Sequence, residues 1–219
     1  MKVTDEMRYA PLYTPADISR YAHVYPGTLR TWTGGRGRAL LIQPAARTIA
    51  PFSFVNLIEA HVVVALRKMH NVSMPRVRRA MKWLSREYQT DHPLAEIDLE
   101  TDGRDVFVDH LDLKISASEG GQVAIPEVVS RYLSRIERDQ AGPVRFYPFT
   151  TYESCPKFIV MDPRVDFGRP VIEGTRIETV MIFERYSGGE GLAQIAEDYD
   201  LDLAKVEEAL RCEIERRAA

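Results

Sequence analysis

Apolar residues recur three and four positions apart in blocks separated by Gly, Pro and small hydroxyl or carboxylate residues, and this spacing predicts a mainly helical chain. Thr14-Pro15-Ala16-Asp17 reads as a helix start, with Thr14 as cap, Pro15 where a missing donor is harmless, and Asp17 closing a capping-box-like pair. Ile18, Tyr21 and Ala22 give that short helix one apolar face, His23 to Pro26 interrupts it, and Thr28 to Trp32 resumes helical spacing. Two short helices across a tight turn are expected. Gly34-Gly35-Arg36-Gly37-Arg38 follows, flanked by extended-looking stretches at Ala39–Gln43 and Arg47–Ala50 around Pro44, and reads as a basic-tipped hairpin or wing. From Ser53, the series Val55, Ile58, Val62, Leu66, Met69 predicts a long buried helix ending near His70-Asn71. Ser73 caps another, with Val77, Met81, Leu84 and Tyr88 inward and Arg76, Arg78, Arg79, Lys82 and Arg86 on its other faces.

After Pro93 the period changes. Ile97–Thr101 and Asp105–Val108 flank Asp102-Gly103, a strong hairpin signal, and a helix is expected from Pro126 to Asp139 with Val129, Tyr132, Leu133 and Ile136 inward. Val144–Phe149 and Phe158–Met161 read as strands. A Gly- and Pro-rich entry at 167–177 then leads to three helices, Glu178–Tyr186, Leu192–Asp198 and Leu203–Arg217. Asp202 is the natural cap of the last, whose inner stripe is Val206, Leu210 and Ile214. The expected fold class is α+β, mainly helical. It comprises a winged helix-turn-helix unit at 1–90, a small mixed strand/helix platform at 91–156 and a trihelical unit at 157–219. A trihelical core of that size is marginal alone, so a homodimer is expected.

Charge sharpens this division. Residues 1–90 hold fourteen basic and five acidic side chains, net +9, whereas 91–219 hold fifteen and twenty-seven, net −12. A polyanion facing the first part explains the asymmetry; two solvated surfaces of unequal sign are the alternative. The most apolar window, Ala60–Leu66, is interrupted by His61, closed by Arg67 and Lys68, and far short of the ~20 residues a bilayer requires. Lys2, Asp5, Glu6 and Arg8 precede any apolar run, unlike a secretory signal, so a cytoplasmic protein without membrane association is expected. Cys155 and Cys212, 57 positions apart, form no disulfide framework or zinc motif.

Tyr13–Ser19, Val24 and Thr28–Trp32 resemble the opening of MerR-like winged helix-turn-helix proteins, and Val72–Ala80 resembles their later helix. The run Gly-Arg-Pro-Val-Ile-Glu-Gly-Thr-Arg-Ile at 168–177, with Gly189-Glu190, Ile195-Ala196, Asp198-Tyr199 and Ala209-Leu210, resembles a prokaryotic domain long catalogued as of unknown function. The combined architecture, with Ser53–His61 between, is similar to VapB-type antitoxins of VapBC toxin–antitoxin systems. Two features depart from these patterns. Pro93 and a strand-type pattern stand where MerR-type regulators place a dimerising coiled coil, and the short ribbon-helix-helix of many VapB antitoxins is absent.

The resemblance implies an antitoxin that binds and inhibits a PIN-domain ribonuclease toxin and, with it, represses their operon through operator DNA. Thr28, Arg30 and Thr31 fall on the recognition helix it implies and Arg36 and Arg38 at the wing tip, with Arg78 and Lys82 on the later helix as further DNA contacts. An inhibitor of a carboxylate-rich nuclease site can insert an Arg in place of metal charge. Arg169 and Arg176 are the first candidates for toxin binding, with Arg211, Arg216 and Arg217 behind them. Alternatively, Arg176 pairs with Glu173 or Glu178 and fixes the turn. The competing functional reading is a stand-alone MerR-like regulator answering a small effector.

No catalytic residues, metal or cofactor are expected, and the protein is not read as an enzyme. Asp198, Asp200 and Asp202 imitate a calcium loop, but Leu203 and Ala209 occupy the positions that want Gly and Glu, and helix capping explains them better. Asp109-His110-Leu111-Asp112 sits on an expected strand, where neighbours alternate between faces. No serine elbow, P-loop or paired-His helix occurs, and His23, His61 and His70 lack ligand spacing.

Overall fold

A computed structural model of the chain describes residues 5–35, 40–68, 72–99, 127–149 and 156–218, with backbone alone at Asp5 and 215–218. The fold is α+β: helices predominate, and two small two-stranded antiparallel sheets accompany them. Helix α1 is Asp5–Tyr9, α2 Pro15–Tyr21, α3 Pro26–Trp32, α4 Phe54–Lys68, α5 Met74–Glu87, α6 Pro93–Glu96 and α7 Glu127–Leu133. Strands β1 (Ile136–Asp139) and β2 (Gly142–Phe146) pair as a hairpin, and β3 (Ile159–Val160) pairs with β4 (Val171–Ile172). Helices α8 (Thr179–Ser187), α9 (Leu192–Asp198) and α10 (Leu203–Ala218) close the chain.

The spine is α4. Every residue from Phe54 to Leu66 is buried, including Asn56, Glu59 and His61, so the helix has no wet face. Its start is set by a reciprocal pair: Ser53 N donates to Asn56 Oδ1 at 3.1 Å and Asn56 N to Ser53 Oγ at 3.2 Å. Around it α1, α2, α5, α6, α7 and β2 form one continuous core that runs in sequence from Tyr13 to Met161. A second core, containing Ile172, Ile182, Ile195 and Val206, lies among α8, α9, α10 and the β3–β4 pair.

Buried polar groups in the first core are tied across long sequence separations. Arg8, 1% exposed, donates to Asp139 at 2.6 Å and joins α1 to β1. His61 Nε2 donates to the Tyr132 carbonyl at 2.9 Å, with its ring packed among Tyr132, Phe146 and Phe149. Burial drives the His61 pKa down to about 3, so the ring is neutral.

Several sequence expectations are corrected. The helix expected to run to Asp139 ends at Leu133, and Ile136–Asp139 is a strand. Arg135 is buried and donates from Nε to the Tyr147 carbonyl at 2.7 Å, while Tyr147 N donates back to the Arg135 carbonyl, which draws the chain onto β2. Leu40–Ala50 contains no strand, so the expected flanks of a wing are irregular. Leu41 and Ile42 are both buried, and both backbone N–H groups donate to the Trp32 carbonyl, which folds the segment back onto the end of α3 instead of pairing it as a strand. Ile97–Leu99 is likewise not a strand: the turn of α6 closes through Ile97 N to the Pro93 carbonyl, and Leu99 is buried. Tyr88 and Ile214, expected inside, are 40% and 48% exposed; Ala209 and Cys212 join Val206 in the core instead. The Asp102-Gly103 hairpin, the Asp109–Asp112 cluster, His70 and Cys155 lie outside the described residues.

Candidate functional site

The front of the molecule carries the basic candidates. The α2 capping box forms as its residue types require, Asp17 N donating to Thr14 Oγ1 at 3.2 Å and Thr14 N to Asp17 Oδ2 at 2.9 Å. A left-handed His23 (φ 53) turns the chain into α3 and is pinned by Nε2 donating to the Phe149 carbonyl at 2.9 Å. Leu29 and Trp32 face inward from α3, Arg30 is exposed, and Thr28 and Thr31 are half-buried. The Thr31 hydroxyl donates to the Thr28 carbonyl at 2.7 Å, so only its acceptor side is free for a ligand.

The segment after α3 brings α5 beside it. Leu40, Leu41 and Gln43 share a 320 Å³ cleft with Arg78 and Lys82, which places the two α5 cations next to the stretch that leaves the C-terminus of α3. Arg36 and Arg38 lie outside the described residues. Sequence reasoning missed Tyr25, which stands 81% exposed at the N-cap of α3. An aromatic directly before Pro26, outside any apolar periodicity, was the available signal.

At the other end, β3–β4 and the turn beyond them present the second set. Gly174 takes φ +82, and Thr175 locks the turn, its hydroxyl donating to the Ile172 carbonyl at 2.8 Å and accepting from Ile177 N at 3.0 Å. Arg176 is exposed on this rigid turn. Neither carboxylate expected to hold it does so: Glu178 pairs with Arg169 at 3.3 Å, and Glu173 accepts from the Tyr147 hydroxyl at 2.9 Å. Among the described residues Arg176 has no ion pair within 4.0 Å. Arg211, by contrast, is held by Glu207 at 3.1 Å and by buried Glu208 at 2.8 Å. Arg216 and Arg217 belong to α10, and their side chains lie outside the described set.

Asp198 is taken by Arg185 and by Gln194, which accounts for the residue that opened the calcium-like pattern. Among the described residues, no group of three His, Cys, Asp or Glu side chains is placed to hold a metal ion, and no helix is long and apolar enough to cross a membrane.

Residues 159–211 match DUF433, a family described as a protein of unknown function. The chain is similar over most of its length to a Mycobacterium tuberculosis H37Rv protein named "Putative antitoxin VapB45". Identity is 29% over 231 aligned positions, which cover 94% of this chain and 95% of that one. It is also similar to the uncharacterized protein Rv2308 of the same organism, at 24% identity over 91% of this chain and 88% of the relative. Among solved structures, the crystal structure of Rv2018 from M. tuberculosis superposes with a TM-score of 0.76 at 28% identity, covering 92% of this chain and 98% of that one. The likeness therefore spans both the basic front and the C-terminal helices.

Proposed function

We propose that the chain is the antitoxin of a type II toxin–antitoxin system that binds and inhibits a PIN-domain ribonuclease and represses its own operon through the basic front, acting as a homodimer. The observation that carries this reading is the similarity, over 94% of the chain, to the protein named "Putative antitoxin VapB45". The charge division supports it, since net +9 in 1–90 suits a phosphate backbone and net −12 in 91–219 does not. Thr28, Arg30 and Thr31 read bases from α3, while Arg78 and Lys82, with Arg36 and Arg38, hold phosphates. Toxin inhibition falls to Arg176 first, the exposed guanidinium on a locked turn, because Arg169 and Arg211 already face carboxylates of their own chain.

Two measurements on the full chain test this. Co-expression with the product of the adjacent gene should restore growth that this product alone arrests. Binding to the chain's own promoter should weaken by about 10³ to 10⁵ between 50 and 200 mM salt if six to ten phosphates are neutralised. Failure of rescue removes the antitoxin role, and a flat salt response removes the DNA role. Light scattering that shows monomers at micromolar concentration removes the homodimer.

A further inference from the structure

The connector between α5 and α6 is fastened to the buried spine by a chain of hydrogen bonds. His92, with 15% of its side chain exposed, donates from Nδ1 to Glu59 Oε2 at 3.1 Å. Asn56 Nδ2 donates to the same oxygen at 3.2 Å and to the Gln43 carbonyl at 2.8 Å. His92 N donates to Thr90 Oγ1 at 2.9 Å, and the Thr90 and Tyr9 hydroxyls both donate to Glu96. Both ends of this chain come out at one place: Gln43 and Asp91, the neighbour of His92, line the 320 Å³ cleft that holds Arg78 and Lys82.

Glu59 is the weak point of the chain. It is 1% exposed and its Oε1 has no hydrogen-bond partner, so His92 supplies the counter-charge of a buried carboxylate. The groups facing His92 are Glu59 of α4, Glu96 of α6, Asp91 beside it and the Tyr9 ring of α1, 5.7 Å away between centroids. Arg138 of β1 reaches α6 and donates to the Ala95 carbonyl. The three carboxylates hold the His92 pKa above its ordinary value although burial of the ring opposes this. Loss of the proton leaves Glu59 buried without compensation, which favours opening of the connector to admit water.

We propose that His92 is a proton-sensitive latch on the basic cleft: charged, it holds Gln43 and Asp91 where the cleft accepts DNA phosphate, and neutral, it releases the connector and weakens that grip. The inference rests on the reading of the front as a DNA-binding surface and adds its regulation. His92 is a positioning residue, acting through Glu59 and Asn56 on one wall of the cleft and through its chain neighbour on another. A released connector also leaves the Asp91 carboxylate to compete with phosphate for Arg78 and Lys82.

Promoter binding by the full chain at fixed ionic strength between about pH 6 and 9, with circular dichroism on the same samples, tests this. Wild-type affinity should fall by about fivefold or more while the helical signal stays constant. His92→Gln, whose amide can donate to Glu59 but carries no titrating charge, should bind at the weak alkaline level throughout. Because coupling is reciprocal, the His92 ring of the wild-type chain, followed by NMR, should titrate at higher pH with promoter bound than without it. A flat wild-type profile, a decline that only tracks loss of helix, a wild-type slope in His92→Gln, or an unmoved His92 titration overturns the latch and leaves the DNA reading standing. No promoter binding at any pH overturns both.

Discussion

The Tyr13 hydroxyl donates a buried 2.8 Å hydrogen bond to the Gly168 carbonyl, joining the residue before the α2 capping box to the turn that carries Phe167. Gly168 sits at φ +74, and a Cβ there would lie 2.2 Å from that hydroxyl. The front of the molecule and its C-terminal helices therefore meet at a point that admits no side chain.

Gly168→Ala combines a left-handed backbone with a steric conflict, and is expected to cost about 2–4 kcal/mol. Tyr13→Phe leaves the Gly168 carbonyl without its donor at a cost of about 1–2 kcal/mol. Denaturant unfolding of the two variants checks the order, and Gly168→Ala matching wild type would disprove the close approach.

Stability should fall on both sides of neutrality. Burial lowers the His61 pKa to about 3, so the unfolded chain takes up this proton first and stability declines as pH drops below about 6.5. His92 lies 3.1 Å from buried Glu59, whose Oε1 lacks a partner; burial of the ring pulls the His92 pKa down, but the bond to this carboxylate and its charge outweigh that and raise it. The stability it contributes is fully present below about 6.5 and is lost as pH rises through the folded value, leaving Glu59 buried without a counter-charge. Urea midpoints between pH 4 and 9 should trace both limbs, and Glu59→Gln should flatten the alkaline one.

The roles proposed for the front differ in their salt response. Arg78→Ala with Lys82→Ala should weaken promoter and unrelated DNA alike and reduce the salt slope by about 2. Arg30→Ala, on α3, should cost about 1–3 kcal/mol on the promoter and less on unrelated DNA. Equal losses on both sequences would reassign Arg30 to the phosphates.

Arg176→Ala should release toxin activity in co-expressing cells, whereas Arg211→Ala, whose guanidinium is held by Glu207 and Glu208, should leave inhibition near wild type. The reverse pattern would move the inhibitory role to α10.

Local interactions were the legible part of this chain. The Thr14–Asp17 cap acts over three residues and α4 is dominated by apolar residues with an unbroken run from Val62 to Leu66, so both could be read directly. The end of α7 could not: Val129, Tyr132, Leu133 and Ile136 keep helical spacing, and what stops the helix is Arg135 bonded to a carbonyl twelve residues away. Ile214 continues the spacing of Val206 and Leu210 yet faces water, because Glu213 rather than Ile214 turns toward Thr179. Spacing also could not distinguish Arg169 from Arg176, since Glu178 is near both in sequence and pairs with the more distant one.

Burial of α4 on every side also constrains how such a protein can change. A recombination that carried the first ninety residues to a new neighbour would strip α7 and β2 from the spine and leave its apolar flank wet. Duplication and drift of the whole reading frame, with new specificity arising at the rims, is the evolutionary route this architecture leaves open.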